Sequence, residues 1–240
     1  MTVRRITAAL LGFAAGIAVT AGTADAQTAG QAPQPQPVQA TAPMPSAPER
    51  SETTPEATPQ DREAAITSIQ RKLNSIRTMH GTFVQTGPDG SRSEGRVYIQ
   101  RPGKMRFEYD LPHPMLIVSD GRRVAVEDRK AKTTDQYPLR LTPLGMMLKD
   151  NIDLREEANI LAVDIGPETV SIFMEDKDTK IPGQLTLVFD ANTYDLLQWS
   201  VRDAQGLVTS VALYDIVEGE QVSAKLFYIN ENIFPEGGTQ

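Results

Sequence analysis

The sequence contains no cysteine. That excludes disulfides, thiolate catalysis, cysteine-ligated metals and lipid attachment to a cysteine behind a signal segment. Histidine is nearly as scarce: His80 and His113 stand far apart and give no metal-ligand spacing. Basic runs go no further than the pairs Arg71-Lys72 and Arg122-Arg123, and the formal charge is -7, which excludes nucleic acid as a partner class. A glycine-rich phosphate loop and a serine on a strained strand-to-helix turn are both missing. The acidic pairs Glu108 with Asp110 and Glu156 with Glu157 read as solvated positions, so no catalytic residue, cofactor or metal is expected. Aromatics are only 6% of the chain, whereas hydrophobic residues reach 40%, so the core must be mostly aliphatic and methionine.

The first 26 residues carry Arg4-Arg5, an apolar stretch from Ile6 to about Ala21 and the small-residue site Ala24-Asp25-Ala26. This reads as a secretory signal removed after Ala26, which places the mature chain in the periplasm of a double-membrane bacterium. Residues 27–59 are rich in Pro, Gln and Ala and nearly empty of large apolar side chains, a composition too poor in buried surface to offset ordering entropy. A folded domain is expected over residues 60–230, with a short tail at 231–240.

Thr58 as cap, Pro59 at the first helical position and Asp61 at the positive end predict a helix whose apolar stripe is Ala65, Ile66, Ile69, Leu73 and Ile76. Arg62, Gln70 and Arg77 fall opposite that stripe. Beyond Gly81 the period changes to two. Short strands are expected at 82–85, 96–100, 104–109, 115–119, 122–126, 161–165, 169–174, 185–189, 196–201, 207–214 and 224–229. Asp120-Gly121 predicts a two-residue hairpin turn that sets Ile117 opposite Val124 and Met115 opposite Val126. Leu139 to Asn151 breaks the rhythm: Thr142 can cap and Pro143 can open a very short helix around Leu144, Met146, Met147 and Leu148. So short a helix needs an apolar surface beneath it. The fold class is mainly β with some helix: a strongly curved antiparallel sheet, an incomplete barrel closed by an N-terminal helix and a short helical lid.

Between two strands stands Arg101-Pro102. An arginine beside an apolar row carries a desolvation cost, so it must reach water or a fixed partner. Around it the chain resembles the periplasmic outer-membrane lipoprotein carrier family, LolA, over about residues 66–227. The resemblance rests on Phe83-Val84-Gln85, Gly95, Arg101-Pro102, Lys104-x-Arg106-Phe107-Glu108-Tyr109 with Pro112 following, Ser119-Asp120-Gly121 and Thr142-Pro143-Leu144, in that order.

The resemblance implies a cavity that shields the acyl chains of lipoproteins, and an arginine at position 101 that hydrogen-bonds carbonyls of the lid and holds the empty cavity shut. It places Leu73, Met105, Phe107, Ile117, Leu144 and Met147 at the cavity, and strand alternation adds Phe189 and Trp199. Implied partners are acylated lipoproteins, an inner-membrane lipoprotein-releasing ABC transporter and an outer-membrane acceptor, with the carrier a monomer. A second reading on the same architecture is a periplasmic lipid or lipoprotein sensor, resembling anti-sigma-factor regulators, or a glycolipid-binding protein. Met105 at an often aromatic place, Gly145 inside the lid and the Pro/Gln leader depart from the family pattern.

Overall fold

The computed structural model describes residues 57–177 and 183–230. The signal segment, nearly all of the leader and the C-terminal tail lie outside the described residues. Helix α1 spans Pro59–Ser75. Its start follows from the sequence: Thr58 accepts from the Asp61 N–H at 3.2 Å while the Asp61 carboxylate accepts from the Thr58 N–H at 2.9 Å, a reciprocal capping box. Ala65, Ile66, Ile69 and Leu73 are buried, so one stripe docks on the sheet.

Eleven strands follow: β1 Thr78–Thr86, β2 Arg92–Gln100, β3 Lys104–Tyr109, β4 Met115–Asp120, β5 Arg123–Asp128, β6 Thr133–Pro138, β7 Ala158–Ile165, β8 Thr169–Asp176, β9 Gln184–Asp190, β10 Leu196–Arg202 and β11 Val208–Glu218. They form one antiparallel sheet in the order β6-β5-β4-β3-β2-β1-β11-β10-β9-β8-β7. Every neighbour but one is sequential, and the exception, β1 beside β11, joins the first and last strands at the centre. The edges β6 and β7 do not pair, so the barrel stays open. Inward residues of both wings, from Phe107 and Val124 to Ile172 and Phe189, share one core with α1, which requires the sheet to curl around the helix.

Between β6 and β7 the chain makes a 3-10 turn at Leu139–Leu141, helix α2 at Pro143–Met147 and helix α3 at Leu154–Glu157. Thr142 Oγ1 accepts from the Gly145 N–H at 3.2 Å and donates to the Leu139 carbonyl at 2.8 Å, so the expected lid cap forms. Gly145 is required there, because a Cβ would collide with the Leu139 carbonyl oxygen. The crossover segment meets both wings: the Leu148 carbonyl accepts from the Gly103 N–H, and Met146 and Leu148 share a cleft with Met174, Leu185 and Val201.

Three expectations are corrected. The hairpin about Asp120-Gly121 pairs Ile117 with Val126 and Ser119 with Val124, leaving Met115 opposite Asp128. Asp120 Oδ1 accepts from the Arg122 and Arg123 N–H groups at 2.8 and 2.9 Å, which enlarges the loop beyond two residues. Because the pairing moves by an even number of residues, every side chain keeps its face. Residues 224–229 hold a 3-10 turn at Ala224–Phe227 instead of a strand, and β6 and α3 appear where no element was expected.

Candidate functional site

Arg101 sits in the turn between β2 and β3 and is 8% exposed. Its Nε donates to the Ile76 carbonyl at 2.8 Å, and its Nη1 donates to the Lys149 carbonyl at 3.3 Å. Ile76 is the C-cap of α1, and Lys149 closes the turn after α2, so one guanidinium satisfies carbonyls at the ends of both helical pieces. The backbone joins in: the Arg101 N–H donates to the Arg77 carbonyl at 2.8 Å and the Gly103 N–H to the Leu148 carbonyl at 2.7 Å. Burial, with the nearby Arg77 charge, pulls the Arg101 pKa below its ordinary value, while Asp150 opposes this; a guanidinium remains charged throughout.

The lid is also stitched to α1. Asn74 both donates to the Ile152 carbonyl at 2.9 Å and accepts from the Ile152 N–H at 2.8 Å, and Gln70 accepts from the Leu154 N–H at 3.2 Å. Arg77 pairs with Asp150. Gln70 and Asn74 stand at i and i+4 on one stripe of α1, and Arg77 follows just beyond its C-cap. Sequence reasoning set Gln70 and Arg77 opposite the apolar stripe and assigned them no partner; the structure gives both a partner in the lid segment.

Beneath this polar frame is an apolar cavity of about 50 Å³. Leu73 and Ile76 line it from α1, and Met147 and Leu148 from the lid. Met79, Ile99 and Phe107 contribute from β1 to β3, and Leu187, Leu196 and Trp199 from β9 and β10, with Arg101 as the polar wall. Of the residues named from sequence, Leu73, Phe107, Met147, Trp199 and Arg101 thus meet around one space. Met105, Ile117 and Phe189 are buried in the same core but stand off its wall. The side chain of Leu144 lies outside the described residues. Ile76, Met79, Ile99, Leu148, Leu187 and Leu196 were missed, although Ile99 and Met79 pair directly across β1 and β2 and so share the inner face.

The aromatics form a chain across the interior. Phe83 meets Phe107 edge-on at 5.1 Å between ring centroids, and Phe107 meets Trp199 at 5.9 Å. The Trp199 indole N–H is buried without a hydrogen-bond partner. Among the described residues no cluster of three or more His, Asp or Glu could hold a metal, and no helix is long and apolar enough to cross a membrane.

The site is thus an apolar space inside an unclosed antiparallel half-barrel, beneath a helical segment that Arg101 ties to the sheet. The family model for the outer membrane lipoprotein carrier protein LolA matches residues 74–230, and the chain belongs to that family. Among similar proteins, the outer-membrane lipoprotein carrier protein of Nitrosomonas europaea is 27% identical over 73% of this chain and 88% of its own length. That of Legionella pneumophila (strain Lens) is 29% identical over 68% of this chain and 83% of its own. Similar solved structures include a LolA superfamily protein from Nitrosomonas europaea, 11% identical over 68% of this chain and 97% of that one, with a TM-score of 0.41. The MucA/MucB complex of Pseudomonas aeruginosa is another, 14% identical over 71% of this chain and 61% of that one, with a TM-score of 0.42.

Proposed function

We propose that this protein carries acylated lipoproteins through the periplasm, from the inner to the outer membrane, with their acyl chains shielded beneath the lid. The observation that supports this best is the latch: a buried arginine tying the ends of α1 and the lid over an apolar cavity. Family membership supports the carrier role. A cavity of about 50 Å³ is far below the ~300–1,000 Å³ typical of ligand sites, so the state described is the closed one.

Loading then requires the α1–lid unit, held together by Asn74 and Gln70, to leave the β2–β3 corner to which Arg101 binds it. Burying acyl chain is worth ~0.8 kcal/mol per CH₂, so a carrier without an opposing term would never release its cargo. The latch supplies that term by favouring the closed state. The partners of this cycle are an inner-membrane ABC transporter that loads the monomer and an outer-membrane acceptor that unloads it.

Native mass spectrometry of the mature protein with an acylated lipoprotein tests the proposal. A one-to-one complex that disappears when the acyl chains are removed is the expected result. Binding that ignores the acyl chains, or no complex at all, overturns it.

A further inference from the structure

The lid has two sides, and only one faces the latched cavity. On the other side lies an open cleft of about 470 Å³, within the ~300–1,000 Å³ typical of small-molecule sites. Its floor combines Met146 and Leu148 of the lid with Met174, Leu185 and Val201, inner-face residues of β8, β9 and β10. Leu148 lines both spaces, so a single side chain forms part of the partition. The rim is mixed in sign: Arg140, Lys149 and Lys177 stand among Glu156, Glu157, Glu175 and Asp176, and Lys149 pairs with Glu157. Such a rim is close to balanced, with one carboxylate in excess, and gives only a weak field with which to select a charged head.

We propose that this cleft is a vestibule that takes one acyl chain bearing an uncharged polar head, such as a glyceryl group, while the latch is still closed. The proposal rests on the carrier reading and adds to it a first binding step. Continuity argues for this occupant over any other: the vestibule floor and the inner cavity are the two faces of one lid, on one curved sheet. The partition also carries the latch. The Leu148 carbonyl accepts from Gly103 and the neighbouring Lys149 carbonyl from Arg101, so a chain pressing on Leu148 acts on the hydrogen bonds that keep the inner cavity shut. Vestibule occupancy is therefore the trigger for opening. Methionine at positions 146 and 174 suits a chain of variable length, since the thioether repacks without a fixed shape.

The chain's one tryptophan makes the two compartments separately observable. Trp199 lines the inner cavity and not the vestibule. Leu141 and Gln184 line the vestibule and are both exposed, so a W199F variant carrying either L141W or Q184W reports the vestibule, the second guarding against a folding defect in the first. The probes are a monoacylglycerol brominated on its chain and a brominated diacylglyceryl-cysteine peptide, bromine quenching only indole that it touches. The monoacyl probe is expected to quench the vestibule reporters at about tenfold lower concentration than it quenches Trp199, and the diacyl peptide to quench both. Adding V201E should raise the monoacyl concentration needed at the vestibule by about tenfold, because it places a carboxylate on the apolar floor. Equal quenching of Trp199 and the vestibule reporters by the monoacyl probe overturns the two-compartment scheme. If the diacyl peptide quenches Trp199 while the monoacyl probe quenches nothing, the vestibule falls and the carrier stands. If neither probe quenches any reporter, the carrier reading falls and takes the vestibule with it.

Discussion

The two wings of the sheet are built differently. Around β4 and β5 both faces are covered: the inner face by the core, the outer by the segment after β11, where Ile229 packs on Leu116, Val118 and Ala125. Arg106 fastens that segment by donating to the Leu226 carbonyl at 3.3 Å. Around β8 and β9 only the inner face is covered among the described residues, and buried Val170, Ile172 and Met174, or Leu185, Leu187 and Phe189, alternate with more exposed neighbours. The lid repeats the contrast. It meets the first wing through directed hydrogen bonds at Arg101 and Gly103, and the second through apolar surfaces of Met146, Met147 and Leu148. Directed bonds fix a position, whereas apolar contact tolerates sliding and exchange for an acyl chain. On the proposed carrier reading, the first wing is the anchor whose bonds opening must break, and the second presents the contacts that an acyl chain replaces.

Phe107→Ala has the largest expected effect on stability, because Phe107 spans the wings. It is 2% exposed and touches both Phe83 and Trp199, and its truncation should cost about 3–5 kcal/mol in chemical denaturation. A loss below about 1 kcal/mol would mean that the wings are held together by α1 alone.

Arg101→Leu attacks the anchor alone. Losing two hydrogen bonds from a charged donor and orphaning the Ile76 and Lys149 carbonyls should cost about 2–3 kcal/mol. The same energy is removed from the closed state relative to the loaded one, a shift of about 30- to 150-fold. The variant should still take up acylated lipoprotein yet pass it to acceptor vesicles more than about tenfold more slowly. Unchanged transfer would show that the anchor is not a latch.

Glu127 tests the double covering of the first wing. It is 2% exposed, stands opposite Leu116, and one carboxylate oxygen has no hydrogen-bond partner. Burial raises its pKa, which the charges of Arg129 and Arg106 only partly oppose. An acid whose folded pKa lies above its unfolded value costs stability as pH rises through that range, since the folded state must then hold the charge. Glu127→Gln should therefore raise the melting temperature slightly at pH 7 and flatten the stability profile between the ordinary glutamate range and neutrality. A lower melting temperature at pH 7 would show that Arg106 and Arg129 compensate the charge fully.

The same contrast explains what could be read from the sequence. The second wing was legible strand by strand, because one covered face imposes the period of two on β8, β9 and β10. The start of α1 was legible because Thr58, Pro59 and Asp61 act locally. On the first wing the signal fails in two ways. Polar β6, with the sequence Thr133–Pro138, covers no face completely and shows no alternation. Residues 224–229 are apolar because they lie on the outer side of β3 and β4, so their hydrophobicity marks docking and not pairing. Of the site, Arg101 was legible through a resemblance, since nothing local says which carbonyls a guanidinium will meet. Gln70 was placed opposite the apolar stripe and Asn74 was not singled out, since their partners lie some eighty residues onward in the lid, where no local pattern could point.

Lys72→Met has the smallest expected effect and probes how α1 is tied to the second wing. Lys72, in the last turn of α1, pairs with Asp195 at 2.6 Å in the β9–β10 turn and with Glu218 at 2.9 Å at the end of β11. Burial alone would depress the ammonium, but Asp195 and Glu218 outweigh it and its pKa rises. For Asp195 burial alone would raise the carboxyl, but the hydrogen bonds from Lys72 and Thr193 outweigh it and its pKa falls. The raised ammonium contributes stability that is present below its unfolded pKa and lost as pH climbs through the folded one. The depressed carboxyl contributes stability that is present above its unfolded pKa and lost as pH falls through the folded one. The tie is thus complete at neutral pH and weakens at both extremes. With side chains 24% and 47% exposed at Lys72 and Asp195, solvent screens the pair, and Lys72→Met should cost no more than about 1 kcal/mol at pH 7. The loss should vanish at high ionic strength and below the carboxylate range. A larger, salt-independent loss would mean that the aliphatic stem of Lys72 packs against the sheet, and that the second wing holds α1 by shape as well as charge.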